Sequence, residues 1–299
     1  HLARHFRNTE NYPEEKKALG KAFSAFGRLG NRNILRETRL IDTIDRQGEL
    51  AFREGEYLQA EDKFLAAKKR FEAAESIGKL GGNQTFGRIY SNLGDVYYYA
   101  SANFPLAMQN FREASKMDYA PPVLYYKMGY IHYRSEQYDQ ALLRFYESAG
   151  HYSSNVNLMF ATANSLYYQH LYSAAQGYYL HVLTDLETQR RNIPDLAPDE
   201  RPEHRALLEN TMKAYNNLGV TLFRLSERTG DNRKVTQGLV NLTTASEYFD
   251  RITRDRETLV RTESKNLSFL NTRAIIYPEP GFEVEIYNEI PRDLQETGF

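Results

Sequence analysis

The sequence predicts an all-α solenoid of stacked helical hairpins, and three observations carry that prediction. A four-residue set recurs at a step of 34 residues: Phe104, Ala107, Phe111 and Ala114, then Tyr138, Ala141, Phe145 and Ser148, then Tyr172, Ala175, Tyr179 and Val182. An aromatic, a small residue three later and an aromatic four after that form one face of a helix. A small residue also precedes the later sets at a fixed distance, with Gly129 nine residues before Tyr138 and Ala163 nine before Tyr172. Each block therefore holds a first helix, a turn and a second helix. The third observation is compositional: 23 Tyr and 16 Phe with no Trp suit amphipathic aromatic seams between stacked helices, or an aromatic binding face. Self-similarity at this period marks a repeat array in which each unit buries its apolar face on the next. By length alone, 299 residues would fill about two compact domains, a limit that an array escapes.

The elements follow in order. Residues 1–40 read as N-terminal capping helices, with Pro13 opening one helix and Glu14 and Glu15 in its first turn, where negative charge suits the helix dipole. Five repeats are expected over 41–253. The first, 41–80, carries Gly48, Tyr57, Ala60, Phe64 and Ala67, and Gly81–Gly82 ends its long second helix. The second, 86–119, has Tyr90, Leu93, Gly94 and Tyr97 before the Phe104 set, with one extra residue in its turn. The third spans 122–153 around Gly129, and the fourth 155–190 around Ala163. Residues 191–204, with three prolines among charges, read as a loop insertion. The fifth repeat, 205–253, matches through Tyr215, Leu218, Gly219 and Leu222, then Gly238, Leu242 and Ala245, with its turn lengthened at Thr229–Asn232. Residues 254–276 read as a C-terminal capping helix. In the tail, 277–299, Tyr277-Pro-Glu-Pro-Gly cannot be helical, and Phe282, Val284 and Ile286 alternate with Glu283 and Glu285 at strand period.

These sets, with their period and small-residue spacing, resemble the tetratricopeptide repeat (TPR) family. The resemblance implies a right-handed superhelix of TPR-like hairpins in which the first helix of each hairpin lines a concave face. Projected onto this chain, it makes Tyr98, Tyr99, Tyr126, Tyr130, Tyr133, Arg134, Phe160, Asn164, Tyr167, Tyr168, Asn216 and Arg224 the candidate partner-binding residues. Tyr and Arg dominate the set, and both are enriched at binding hot spots. Ser91, Asp95, Val220 and Phe223 fall on the same projection. Chaperone-binding members of the family carry a lysine and asparagine clamp for a C-terminal carboxylate. The matching positions here hold Asp45, Glu49, Ser91 and Asp95, which argues against that role and hints at a basic partner segment.

Other classes find little support. The net charge of −1 gives no general attraction to nucleic acid or membrane. Arg4, Arg7, Lys16, Lys17, Lys21, Arg28, Arg32, Arg36 and Arg39 outnumber the acids of the first forty residues, as a solvated helix face would. With no cysteine there is no disulfide, thiolate metal site or thiol nucleophile. No apolar run reaches membrane-spanning length. His132, His151, His170, His181 and His204 have no metal-ligand spacing, and Gly81–Gly82 is not followed by the Lys-Ser/Thr of a phosphate loop. No catalytic motif, cofactor site or metal site is expected. The expectation is a non-enzymatic scaffold or adaptor that binds a partner peptide or helix in a Tyr-rich groove. The alternative is a regulatory accessory subunit whose groove holds its own tail. A chain that begins at His1 and lacks cysteine suggests a processed product or fragment and leans toward a bacterial periplasm. Its texture loosely resembles repeat proteins of the spirochaete periplasmic flagellar collar.

Overall fold

The computed structural model describes residues 2–28, 34–75, 84–152, 154–191, 202–253 and 266–294. Among them thirteen helices form: α1 Leu2–Asn8, α2 Tyr12–Gly27, α3 Ile34–Arg53, α4 Tyr57–Glu75, α5 Gln84–Tyr99, α6 Phe104–Lys116, α7 Pro122–Arg134, α8 Tyr138–Tyr152, α9 Val156–Tyr168, α10 Tyr172–Arg191, α11 Pro202–Thr229, α12 Asn232–Thr253 and α13 Leu267–Ile276. None is long and apolar enough to cross a membrane. The chain divides into two compact units, His1–Leu124 and Tyr125–Phe299.

The hairpins are TPR-like, and their signature residues are the ones that bring paired helices together. In the first unit, a Cβ built on Gly48 would lie 2.5 Å from Cε1 of Phe64. Gly94 meets the ring of Phe111 in the same way. In the second unit a Cβ on Gly129 would lie 2.5 Å from Cε1 of Phe145. Each pair sets the first helix of a hairpin against the second, and a larger residue would force them apart. The fifth hairpin solves the same problem differently. A Cβ on Gly219 would stand 2.9 Å from the carbonyl oxygen of Gly238, so α11 and α12 cross on two glycines. The recurring small residues Ala60, Ala67, Ala107, Ala114, Ala141 and Ala175 are wholly buried, as are Phe111, Phe145 and Tyr179.

Local signals account for the helix ends. The side chain of Asn11 accepts from the Glu14 amide at 3.4 Å, and Pro13 occupies the first turn of α2. Asn103, Asn155 and Asn266 cap α6, α9 and α13 in the same way. The turns inside the hairpins need a left-handed residue, supplied by Gly55 (φ 80°) and Gly230 (φ 70°) but also by Glu136 and His170 (both φ 58°).

Several expected boundaries differ from the helices observed. An additional helix, α1, precedes α2, and α3 begins at Ile34, ahead of the cap boundary expected at residue 40. The expected insertion 191–204 is helical at both ends, because α10 includes Arg191 and α11 begins at Pro202. Proline suits the first turn of a helix, so Pro202 opens α11 instead of extending a loop. Residues 192–201 lie outside the described residues, as do 29–33, 76–83, 153, 254–265 and 295–299. The expected Gly81–Gly82 stop and most of the 254–266 part of the capping helix fall there; its described part is α13.

Candidate functional site

In the second unit, α7, α9 and α11 are the first helices of their hairpins, and α13 follows them. Residues 284–291 of the tail run along the side chains of these four helices without forming helix, and 292–294 bend and turn beyond them. No strand forms among the described residues. Main-chain groups of the tail bond instead to side-chain amides and phenols.

Two asparagines act in place of a neighbouring strand. Asn217 on α11 donates Nδ2 to the Tyr287 carbonyl at 2.9 Å, and the Tyr287 amide donates to Asn217 Oδ1 at 2.7 Å. Asn271 on α13 donates to the Glu285 carbonyl at 2.8 Å, and the Glu285 amide returns to Asn271 Oδ1 at 2.9 Å. These two closed rings grip alternate residues of one tail edge. The i, i+2 spacing is that of a β-strand, in which alternate residues present amide and carbonyl to the same side.

Further donors surround this pair. Asn164 Nδ2 reaches the Tyr287 carbonyl at 2.9 Å, and Asn216 Nδ2 reaches the Glu285 carbonyl at 3.3 Å. The Tyr133 hydroxyl donates to the Asn288 carbonyl at 2.8 Å, and that of Tyr126 to the Pro291 carbonyl at 2.7 Å. Asn157 and Asn155 reach the carbonyls of Asp293 and Leu294 at 3.2 and 3.0 Å.

A second layer orients these amides. The Tyr179 hydroxyl donates to Asn164 Oδ1 at 2.6 Å, and Asn217 Nδ2 donates to the same oxygen at 3.1 Å. Asn216 Oδ1 accepts from Ser268 Oγ at 3.1 Å and Asn271 Nδ2 at 2.9 Å. Asn164, Asn216 and Asn217 are fully buried. Burial holds the phenols of Tyr133 and Tyr179 well above the ordinary tyrosine range, so both remain neutral donors. Buried polar groups that find every partner in this way specify one arrangement, because the cost of a missing partner is high.

The tail's side chains divide by face. Val284, Ile286, Ile290 and Leu294 are buried, and Tyr287 packs on a cluster of Leu208, Met212, Ala245 and Ile252. Glu283, Glu285, Asn288 and Glu289 are exposed. Phe282, expected on the face of Val284 and Ile286, stays 49% exposed under the Arg273 guanidinium. Burial draws the Lys213 ammonium below the ordinary lysine range, opposed by the charges of Glu289 and Glu209.

Of the twelve residues projected from the sequence, Tyr126, Tyr133, Asn164 and Asn216 donate to the tail main chain. Tyr168 stacks on Tyr138 with centroids 4.5 Å apart and interacts with Asn288. Tyr167 packs edge-on to Tyr168 and bonds Arg224, which also pairs with Glu227 at 3.2 Å. Arg134 is exposed at the end of α7, and Tyr130 is buried within that helix's packing. Phe160 is fully buried against Tyr179 and presents no surface to solvent. In the first unit Tyr98 is likewise fully buried, packed on Tyr99, Phe104 and Phe111, while Tyr99 is half-buried and also meets Phe52. The projection missed Asn155, Asn157, Asn217 and Asn271. A signal was available, because asparagine is a poor interior helix residue and a doublet such as Asn216–Asn217 in mid-helix needs a tertiary reason.

In the first unit two of the acids thought to invite a basic partner, Asp45 and Glu49, are paired with arginines of the same unit. Arg88 on α5 bonds Asp45 at 2.7 Å and Asp42 at 2.8 Å, and lies 3.3 Å from Glu49. Asn92 donates to Asp45 at 2.9 Å. Arg7 of α1 pairs with both Glu49 and the buried Glu15, and Arg53 bonds Glu15 at 2.8 Å. A cleft of about 310 Å³ lies beside this network, lined by Arg7, Glu49, Phe52, Arg53, Phe64, Asn92 and Asp95. Desolvation, with the adjacent charge of Glu49, outweighs Arg88 and Asn92 and pushes the Asp45 carboxyl up to about 6 from 3.8. Between those values the folded chain holds a proton that the unfolded chain has lost, so Asp45 makes stability fall as pH rises across that window. Urea midpoints measured from pH 4 to 7 should show this decline flattened in Asp45→Asn; an unchanged profile would assign the decline to other groups.

No family model matches the sequence, and no curated protein matches it. Among solved structures the chain is similar to YrrB, described as a TPR protein with an unusual peptide-binding site, at 16% identity over 73% of this chain and 89% of that one, with a TM-score of 0.49. It is similar to MamA at 14% identity over 64% of this chain and 98% of that one, with a TM-score of 0.46. It is also similar to the C-terminal part of a TPR repeat-containing protein from Cytophaga hutchinsonii, at 13% identity over 93% and 95% of the two chains, with a TM-score of 0.46.

Proposed function

We propose that this chain is a protein-interaction scaffold and not a catalyst, and that the face formed by α7, α9, α11 and α13 is a groove for an extended polypeptide segment. In the chain alone the groove holds its own tail, so the protein acts as a regulated adaptor. The reading rests above all on the reciprocal pairing of Asn217 with Tyr287 and of Asn271 with Glu285. Recognition of main-chain groups with side pockets for alternate residues is how extended peptides are held elsewhere. A bacterial, extracytoplasmic assembly, including a collar-type complex, is a setting that the cysteine-free, tyrosine-rich composition supports.

The test is a chain ending at residue 281, titrated with a synthetic peptide of residues 282–294. The expected result is a lower denaturation midpoint than that of the full chain and saturable peptide binding that restores it. An unchanged midpoint with no binding would overturn the reading.

A further inference from the structure

We infer that the groove also takes, in exchange for the tail, an acidic extended segment of another protein that carries aliphatic side chains with the spacing of Val284, Ile286, Ile290 and Leu294. The inference rests on the reading above, that the tail occupies this groove, and names what else fits there. The groove's hydrogen bonds go to the main chain of residues 285, 287, 288, 291, 293 and 294. Every polypeptide carries those carbonyls, so the bonds hold an extended chain without choosing among sequences. Choice lies mainly in the seats of the four buried aliphatic side chains, with the Tyr287 ring on its apolar cluster and the Tyr168–Asn288 bond adding to it. The segment the groove already holds is itself acidic, with Glu283, Glu285 and Glu289 exposed along it, and Glu289 favours the charged form of the half-buried Lys213. A basic segment would set like charge against Lys213.

Exchange needs a tether that releases the segment without dismantling a helix, and residues 277–283 have that character. All are exposed, Pro278 and Pro280 exclude helix, and Gly281 takes φ 90°. Their contacts are peripheral, a 3.6 Å approach of Arg273 to Glu279 between half-exposed side chains and the Arg273–Phe282 contact. Tethering gives the tail a high effective concentration, so a free segment binds the intact chain with its affinity reduced by the fraction of open groove.

The experiment uses the full chain and a fluorescein-labelled peptide of residues 282–294, with a peptide of scrambled order as control. Protection of the Glu285 and Tyr287 amides is followed in parallel by hydrogen exchange, and circular dichroism checks helicity. Wild type should bind the peptide weakly. A chain with Val284→Asp and Ile286→Asp in its own tail should lose amide protection and bind at least tenfold tighter, and adding Asn217→Ala should remove that gain. A Glu289→Lys peptide should bind more weakly than the native one. Should the weakened tail compromise folding, wild type at saturating peptide gives the same comparison, because tail protection must fall as peptide binds. Protected wild-type amides with no peptide binding to the opened groove would overturn exchange and leave the occupied groove standing. Equal binding of the scrambled peptide would overturn the side-chain pattern. Wild-type amides that exchange freely would overturn the occupied groove itself, and the inference with it.

Discussion

Replacing Phe145 with alanine is expected to lower the unfolding free energy by about 3–5 kcal/mol. The ring is wholly buried, sits where a Cβ on Gly129 would be, and packs on Tyr126 with centroids 5.4 Å apart. Removing it takes away the contact between α8 and α7 at Gly129 and one face of the packing around Tyr126, whose hydroxyl holds the Pro291 carbonyl. The loss is a large share of an ordinary domain's stability of about 5–15 kcal/mol. In a repeat array it also weakens the neighbouring interfaces that depend on this hairpin. Urea denaturation followed by circular dichroism measures the change. A loss below about 1 kcal/mol would mean that the hairpin does not rest on this contact.

The double substitution Asn217→Ala, Asn271→Ala is expected to release the tail while the hairpins stay folded. Each change removes the acceptor of one tail amide and the donor to one tail carbonyl. A buried group left without its partner costs about 1–3 kcal/mol. Exchange of the Glu285 and Tyr287 amides should therefore quicken by about 100-fold when both rings are opened. Asn217→Asp keeps an acceptor for the Tyr287 amide but loses the donor to its carbonyl, so it should fall between. Far-ultraviolet circular dichroism should change little, since the tail is not helical. Unchanged exchange in the double variant would show that Asn217 and Asn271 do not hold the tail, leaving its aliphatic side chains and the remaining donors to do so.

The aromatic excess had two explanations in the sequence, a packing seam or a binding face; tyrosines form seams between helices, and two of them also donate to the chain's own tail. Tyr215 and Tyr248 stack 5.9 Å apart and share Glu187, at 3.3 and 2.9 Å. Tyr126 and Tyr133 bury their rings among helices and give their hydroxyls to the tail. A phenol can serve a core and a polar ligand at once, which phenylalanine cannot. The projection from the repeat therefore includes Asn164 and Asn216, which bond the tail, but not Asn217, one position outside its spacing. It also took Phe160 and Tyr98 for groove residues, although both are fully buried.

By itself the sequence determined the helical hairpins, the glycine–aromatic crossings, the helix opened by Pro13, and a non-helical alternating tail. Each is a local or periodic property, set by residues within one or two turns or one repeat of each other. Tertiary structure alone decided where the tail lies and which acids are neutralised. Tyr126 meets Pro291 across 165 residues, Asn217 meets Tyr287 across 70, and Arg88 meets Asp45 across 43. Such pairs form because folding brings distant backbone and charge into one desolvated space, where each polar group must find a partner. Periodicity states which face of a helix is buried, but not which distant segment covers it.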